Sequence, residues 1–216
     1  MHRDFILDRK EAGELLARAL EHYRRTDSVV LGIPRGGVAV AHAVAKALDL
    51  PLDIAMVKKL GHPENPEFAI GAVSLDTVRV DPRYDPSSPW LVAEVQRLRA
   101  SMRERSHRFR GDRPAEPLAG RTVIVVDDGV ATGHTLLATI DLLRMQRPAR
   151  IVIAMPVVPE AFVAKGRAAA DELVHLMAPA DLQSVGQFYA DFTPVEDDEV
   201  VRLLNDRWHP RTHGTA

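Results

Sequence analysis

The sequence predicts an α/β protein whose central parallel sheet is flanked by helices. Three observations lead there. Short β-branched, apolar runs alternate with stretches whose apolar residues recur at helical spacing, the pattern of strands joined by helical crossovers. Two strand-to-helix junctions, at Gly32–Gly37 and Asp127–Thr135, are rich in glycine or hydroxyl residues, and such junctions are where parallel sheets hold ligands. With 216 residues the chain can bury one good core and is short for two, so residues 1–216 read as a single domain.

The elements follow in order. Asp8, with Glu11 three residues on, reads as a capping box opening a helix with Leu15, Leu16, Ala19 and Leu20 on one face. Ser28–Gly32 is a buried strand, Gly36-Gly37 starts a helix running to Leu48, and Leu52–Val57 is the next strand. Phe68–Ser74 and Thr77–Val80 read as an antiparallel ribbon that leaves the sheet. After a proline-rich break at Pro82–Pro89, Trp90–Arg110 carries Leu91, Val95, Leu98 and Met102 at helical spacing, and Gly111–Gly120 is a loop. Val123–Val126 is a strand stopped by Asp127-Asp128, and Leu136, Leu137, Ile140 and Leu143 mark the helix after it. Arg150–Val157, Pro159–Ala170 and Glu172–Met177 resume the strand-helix-strand alternation. The tail adds Val185–Phe192 and a helix from about 196 to 204.

Composition narrows the function. Lys and Arg number 28 against 30 Asp and Glu, so net charge makes no case for a nucleic-acid or membrane partner. The absence of cysteine excludes disulfides, thiolate nucleophiles and zinc-thiolate sites. With no apolar signal core in the first residues and no run of membrane-spanning length, a cytoplasmic protein is expected. The nine histidines show no metal-ligand spacing, so no resident metal site is expected.

Chemistry concentrates at the two junctions. In Val123–Thr135 two carboxylates, Asp127 and Asp128, stand before Gly129, Ala131, Thr132, Gly133, His134 and Thr135. Backbone N–H groups and hydroxyls at a helix start suit a phosphate, and the adjacent acceptors suit sugar hydroxyls or a hydrated divalent cation. A sugar phosphate fits both. At the other junction, Pro34-Arg35-Gly36-Gly37 offers a guanidinium and close backbone approach at a second helix start. Its Gly-x-x-x-Gly-Gly spacing differs from the dinucleotide pattern Gly-x-Gly-x-x-Gly, and Lys58-Lys59 stands where a ribose acceptor would be needed.

These motifs closely resemble those of the type I phosphoribosyltransferases, over about residues 28–157. The resemblance implies a Rossmann-like central sheet with an inserted ribbon plus helix (about 60–120), a core of about 28–177, and a small hood from the N-terminal segment and about 178–208. It implies that Asp127 and Asp128 take the ribose hydroxyls of phosphoribosyl pyrophosphate (PRPP), that 131–135 holds the 5′-phosphate, and that Pro34–Gly37 holds the pyrophosphate. Lys58 or Lys59, with Asp128, would act in catalysis, the lysines stabilising charge on the leaving pyrophosphate; which lysine acts is left open. Mg²⁺ would arrive with PRPP. Val185–Phe192 resembles the hood of purine enzymes, so Phe188 or Tyr189 would stack on the base and Asp191 face the metal-pyrophosphate side. Gly129 departs from relatives that carry an aliphatic residue there, and is expected to loosen the loop's packing. Ala131 stands where 6-oxopurine enzymes have a carboxylate and adenine enzymes have alanine. Glu64 or Glu67 is a candidate general base by position alone.

Seven arginines between Arg97 and Arg113 face only Glu104 and Asp112. Their readings are a cationic lid, a subunit contact such as a homodimer would use, an RNA surface, or a solvated helix face; the last is preferred, and the lack of interleaved aromatics weighs against RNA. The function expected is transfer of phosphoribosyl from PRPP to a base such as a purine. The alternative is a PRPP-binding regulator that contacts RNA, DNA or a protein without turnover.

Overall fold

The computed structural model describes residues 5–65 and 68–207. Helix α1 (Arg9–Ala19) starts at the predicted cap, Asp8, which accepts the Glu11 N–H at 2.8 Å, while the Glu11 carboxylate reaches one residue further back than a capping box requires, accepting the Leu7 N–H at 2.6 Å. Then come β1 (Ser28–Gly32), α2 (Gly36–Leu48), β2 (Leu52–Ile54) and three further strands, β3 (Val57–Gly61), β4 (Ala69–Ser74) and β5 (Val78–Val80). Helix α3 (Pro89–Arg110) leads to β6 (Thr122–Val126), α4 (His134–Met145), β7 (Arg150–Val157), α5 (Glu160–Ala169), β8 (Glu172–Met177) and α6 (Asp197–Arg207).

Five strands pair in parallel in the order β2-β1-β6-β7-β8. Their side chains alternate between two cores, as a sheet covered on both faces requires. Val30, Ile124, Val126, Val152 and Ala154 face α1, α2 and α6. Val29, Leu31, Val123, Val125, Ile151 and Ile153 face α4 and α5. The chain runs outward from β1 to β2 in one direction and from β6 to β8 in the other, so the topological switch point lies between β1 and β6.

The stretch Leu52–Val57, expected as one strand, is two. Only Leu52–Ile54 pairs with β1, and Val57 begins β3 of a separate antiparallel sheet ordered β3-β4-β5. The inserted ribbon therefore has three strands rather than two. The unbroken apolar run from Ile54 to Val57 hides the change of sheet, because both halves are strand-like. One face of this ribbon packs Leu60, Val73 and Val78 against Leu91, Val95, Leu98 and Met102 of α3. The other lies against α4.

Most arginines of α3, and Arg113 after it, have partners within the chain, and the Arg110 side chain among them is only 11% exposed. Arg110 donates to Asp53 Oδ1 at 2.6 Å, Ser106 Oγ at 2.7 Å and the Ile54 carbonyl at 3.0 Å. Arg113 caps carbonyls of Phe109, Arg110 and Leu204, Arg99 donates to the Ser74 carbonyl, Arg97 pairs with Glu94, and Arg108 pairs with Asp197 of α6 at 3.0 Å. The helix is a strut tying the ribbon to β2 and α6.

Candidate active site

Because β1 and β6 flank the switch point, the turns leaving them share one crevice. The Ile33 N–H donates to the Val126 carbonyl at 2.9 Å, tying the first turn to the end of the second strand. Gly36 and Gly37 then open α2 in direct contact with the acidic pair. A β-carbon on Gly36 would fall onto Asp128 Oδ2, and one on Gly37 would lie 2.6 Å from Asp127 Oδ1 and 2.7 Å from Asp127 Cα. Close approach is what demands glycine here. Across the crevice, Gly133 caps α4 at φ 79°, where a β-carbon would also run into the Phe162 ring. No side chain caps α4, so its first N–H groups are directed to the loop mouth beside the exposed Ala131, Thr132, His134 and Thr135.

Asp127 and Asp128 differ in surroundings. Asp127 Oδ1 accepts the Asp128 N–H at 2.9 Å. Although part of its surface faces the loop, burial first, and then the charge of Asp128 beside it, push the Asp127 carboxyl well above the usual carboxylate range. Asp128 is held by Arg9, which offers Nε and Nη2 to Oδ2, both at 2.9 Å. The two side chains are 11% and 18% exposed. Arg9 Nη1 donates to the Thr193 carbonyl at 2.8 Å, and its guanidinium sits 3.9 Å from the centre of the Phe192 ring.

The tail covers this cluster. Ile6 pairs in parallel with Tyr189, its N–H donating to the Phe188 carbonyl and its carbonyl accepting the Ala190 N–H, each at 2.8 Å. The Tyr189 hydroxyl donates to the Asp128 carbonyl at 2.7 Å. Val185 fills the space a Gly129 side chain would take, with Cγ2 2.9 Å from that β-carbon position. Gly129 thus admits a neighbour from the tail, where the sequence suggested looser packing.

Sequence comparison bears on this arrangement. Residues 3–177 match the family described as the phosphoribosyl transferase domain. The chain belongs to that family. Two Mycobacterium tuberculosis proteins, from strains CDC 1551 and H37Rv and each named "Putative phosphoribosyl transferase", are 43% identical to it over 209 residues. The match covers 94% of this chain and 46% of theirs, so the chain spans about half the length of these curated relatives. The crystal structure of TT1426 from Thermus thermophilus is similar at 41% identity and a TM-score of 0.86, covering 94% of this chain and 99% of that one.

Other residues singled out from the sequence are distributed around this phosphoribosyl transferase core. Arg35 turns from the crevice toward α6, 3.2 Å from Glu196 and 3.7 Å from Asp197; the Pro34–Arg35 peptide is cis. Lys58 and Lys59 lie within β3 and point to opposite faces of the ribbon. Lys58 donates to Ser101 Oγ of α3 at 2.9 Å. Lys59 pairs with Ala72, and Ala72 with Arg79, whose guanidinium reaches Asp141 of α4 at 3.4 Å; the register therefore puts Lys59 on the α4 face. Glu64 is exposed between β3 and β4, while Pro66 and Glu67 lie outside the described residues. Phe188 packs on the main core, Tyr189 is buried, and burial followed by the nearby Asp128 charge raises its hydroxyl pKa. Asp191 turns back on Thr193, whose N–H and hydroxyl it accepts at 2.9 and 2.6 Å and which hold its carboxyl below the usual range.

Arg9 and Phe192 escaped sequence reasoning as site residues. Arg9 reads locally as the first residue of a capped helix, and its partner stands 119 residues away. A groove of about 790 Å³ between α1, α2 and α6 meets the site at its edge, through Asp8, Arg9, Asp191 and Thr193.

Proposed function

We infer that the chain transfers 5-phosphoribosyl from PRPP to a nitrogenous base and releases pyrophosphate. One observation carries this reading: glycine turns opening α2 and α4 flank an acidic pair at the switch point between β1 and β6. In this reading the turn 131–135 binds the 5′-phosphate through α4's first N–H groups, Asp127 and Asp128 engage the ribose hydroxyls, and Gly36-Gly37 admits the pyrophosphate backbone-first. The base nitrogen forms the new bond at C1 while the C1–O bond breaks and its electron pair leaves with pyrophosphate, inverting C1. Positioning and charge stabilisation supply most of the acceleration. Lys59, on the ribbon face toward α4, is the better placed lysine for the leaving group, and Glu64 is the described candidate for taking the proton from the base. In this reading Mg²⁺ arrives with the substrate, held partly by its phosphates.

Ala131 permits an amino-purine acceptor. The buried Tyr189 and core-packed Phe188 offer little support for base stacking by those rings. The alternative, a PRPP-binding regulator that contacts RNA, DNA or a protein without turnover, is separated by turnover; several α3 arginines make ion pairs or hydrogen bonds within the chain. Among the described residues no helix is long and apolar enough to cross a membrane.

Titrating Mg²⁺-PRPP calorimetrically into the wild type and an Asp127→Asn, Asp128→Asn double variant tests the reading, followed by a screen for PRPP-dependent pyrophosphate release with a panel of bases. Binding lost in the variant, with base-dependent release by the wild type, is expected. Binding without release for any base would favour the regulator, and no binding to folded wild type would refute both.

A further inference from the structure

We propose that Arg9 is a pyrophosphate-binding cation that rests on Asp128 until PRPP arrives. The inference relies on the PRPP reading above and adds a residue to it from outside both loop motifs. Arg9 lies at the seam of the two turns. Its Nε and Nη2 both engage Asp128 Oδ2 at 2.9 Å, and its Nε is 3.0 Å from where a Gly36 β-carbon would stand. The guanidinium thus touches the carboxylate assigned to the ribose and the glycine assigned to the pyrophosphate at once. Arg35, the turn's own cation, is drawn off to Glu196 and Asp197.

The chemistry of PRPP makes the exchange natural. Its diphosphate is attached at C1 on the same ring face as the 2′- and 3′-hydroxyls, so a group beside the carboxylate that binds those hydroxyls is within reach of the diphosphate. Arg9 and the incoming hydroxyls compete for the same oxygen of Asp128. A guanidinium displaced from one carboxylate gains a diphosphate, a more highly charged partner that also accepts its planar fork. The Thr193 carbonyl at 2.8 Å and the Phe192 ring at 3.9 Å keep the guanidinium in place through the exchange, so it needs only a short shift.

The test is calorimetric titration of Mg²⁺-PRPP, inorganic pyrophosphate and ribose 5-phosphate into wild type, Arg9→Gln and Arg9→Lys at fixed ionic strength. Arg9→Gln is expected to weaken PRPP and pyrophosphate by roughly tenfold or more, the scale of a lost charged hydrogen bond, while ribose 5-phosphate binds as well as before or better. Arg9→Lys keeps a point charge without the fork and should fall between the two; it carries the test alone if Arg9→Gln does not fold. PRPP bound as tightly or more tightly by Arg9→Gln would overturn the proposal and make Arg9 a plug. Equal losses for all three ligands would overturn it in favour of a purely positioning role. A wild type that binds neither PRPP nor pyrophosphate would refute the function itself, an outcome distinguishable from both.

Discussion

Gly37→Ala isolates the contact between the two ligand turns. Helix propensity alone would make the substitution stabilising by about 1 kcal/mol. The structure reverses the sign. The new β-carbon would stand 2.6 Å from Asp127 Oδ1, 2.7 Å from Asp127 Cα and 2.9 Å from the Val126 carbonyl oxygen, and two of these atoms are backbone at the end of the buried strand β6 and the residue after it. Overpacking costs about 1–3 kcal/mol, and atoms unable to swing aside put it near the upper end, so the net is a loss of about 2 kcal/mol. For a chain of this size that lowers Tm by about 4–8 °C. Gly111→Ala is the matched control, with φ 61°, ψ −136° and nothing within 4 Å of its β-carbon position, so it carries backbone strain of about 1–3 kcal/mol and no clash. Thermal melts and Mg²⁺-PRPP titrations on both variants are the assay. Gly37→Ala should lose stability and PRPP affinity together, while Gly111→Ala loses stability alone. A Gly37→Ala protein melting at or above the wild type would refute the claimed contact between the turns.

Asp53→Ala strands Arg110, whose side chain is 11% exposed, and should cost about 3–5 kcal/mol in a urea titration; a midpoint near the wild type's would show that the strut carries no weight. For Asp127 the folded pKa lies above the unfolded one, so the native state holds more protons in the window above the ordinary carboxylate range and stability falls as pH rises through it. Asp127→Asn removes that slope, so its Tm should gain on the wild type's from about pH 4 upward even as PRPP binding is lost; parallel Tm profiles would contradict this. Gly129→Ala should be partly rescued by Val185→Ala, with coupling of about 1 kcal/mol in a double-mutant cycle, and strict additivity would place Val185 elsewhere.

What was legible in the sequence is what depends on neighbours along the chain. The helix cap at Asp8, the acidic stop after Val126 and the glycines opening α2 are set by local hydrogen bonding and sterics, and each stands where expected. The parallel sheet follows from strand-helix alternation. What stayed hidden depends on distant partners. Arg9 finds Asp128 across 119 residues, and Val185 fills the space over Gly129 from a segment of irregular backbone. The break after Ile54 was invisible for another reason: strands in two different sheets have the same apolar character, and only pairing tells them apart. Around Val185–Phe192 the packing is also set from afar, with Tyr189 buried and Phe192 4.9 Å from it, beneath Arg9.

The pairing of Ile6 with Tyr189 also governs when the site comes into being. The five paired strands through β8, with α1, α2, α4 and α5 on their faces, need no residue beyond Met177, so they can form before the tail is made. The seat of Arg9 cannot. It needs Thr193, 184 residues beyond Arg9, so the first turn of α1 must wait beside an unfinished crevice until nearly the whole described chain has been made. The acidic pair is then closed over last, by the two segments most distant in time of synthesis. A nascent chain halted before Val185 can build a sheet with both turns in place and still lack a site, so ligand-dependent stabilisation should appear only in chains that extend past Thr193.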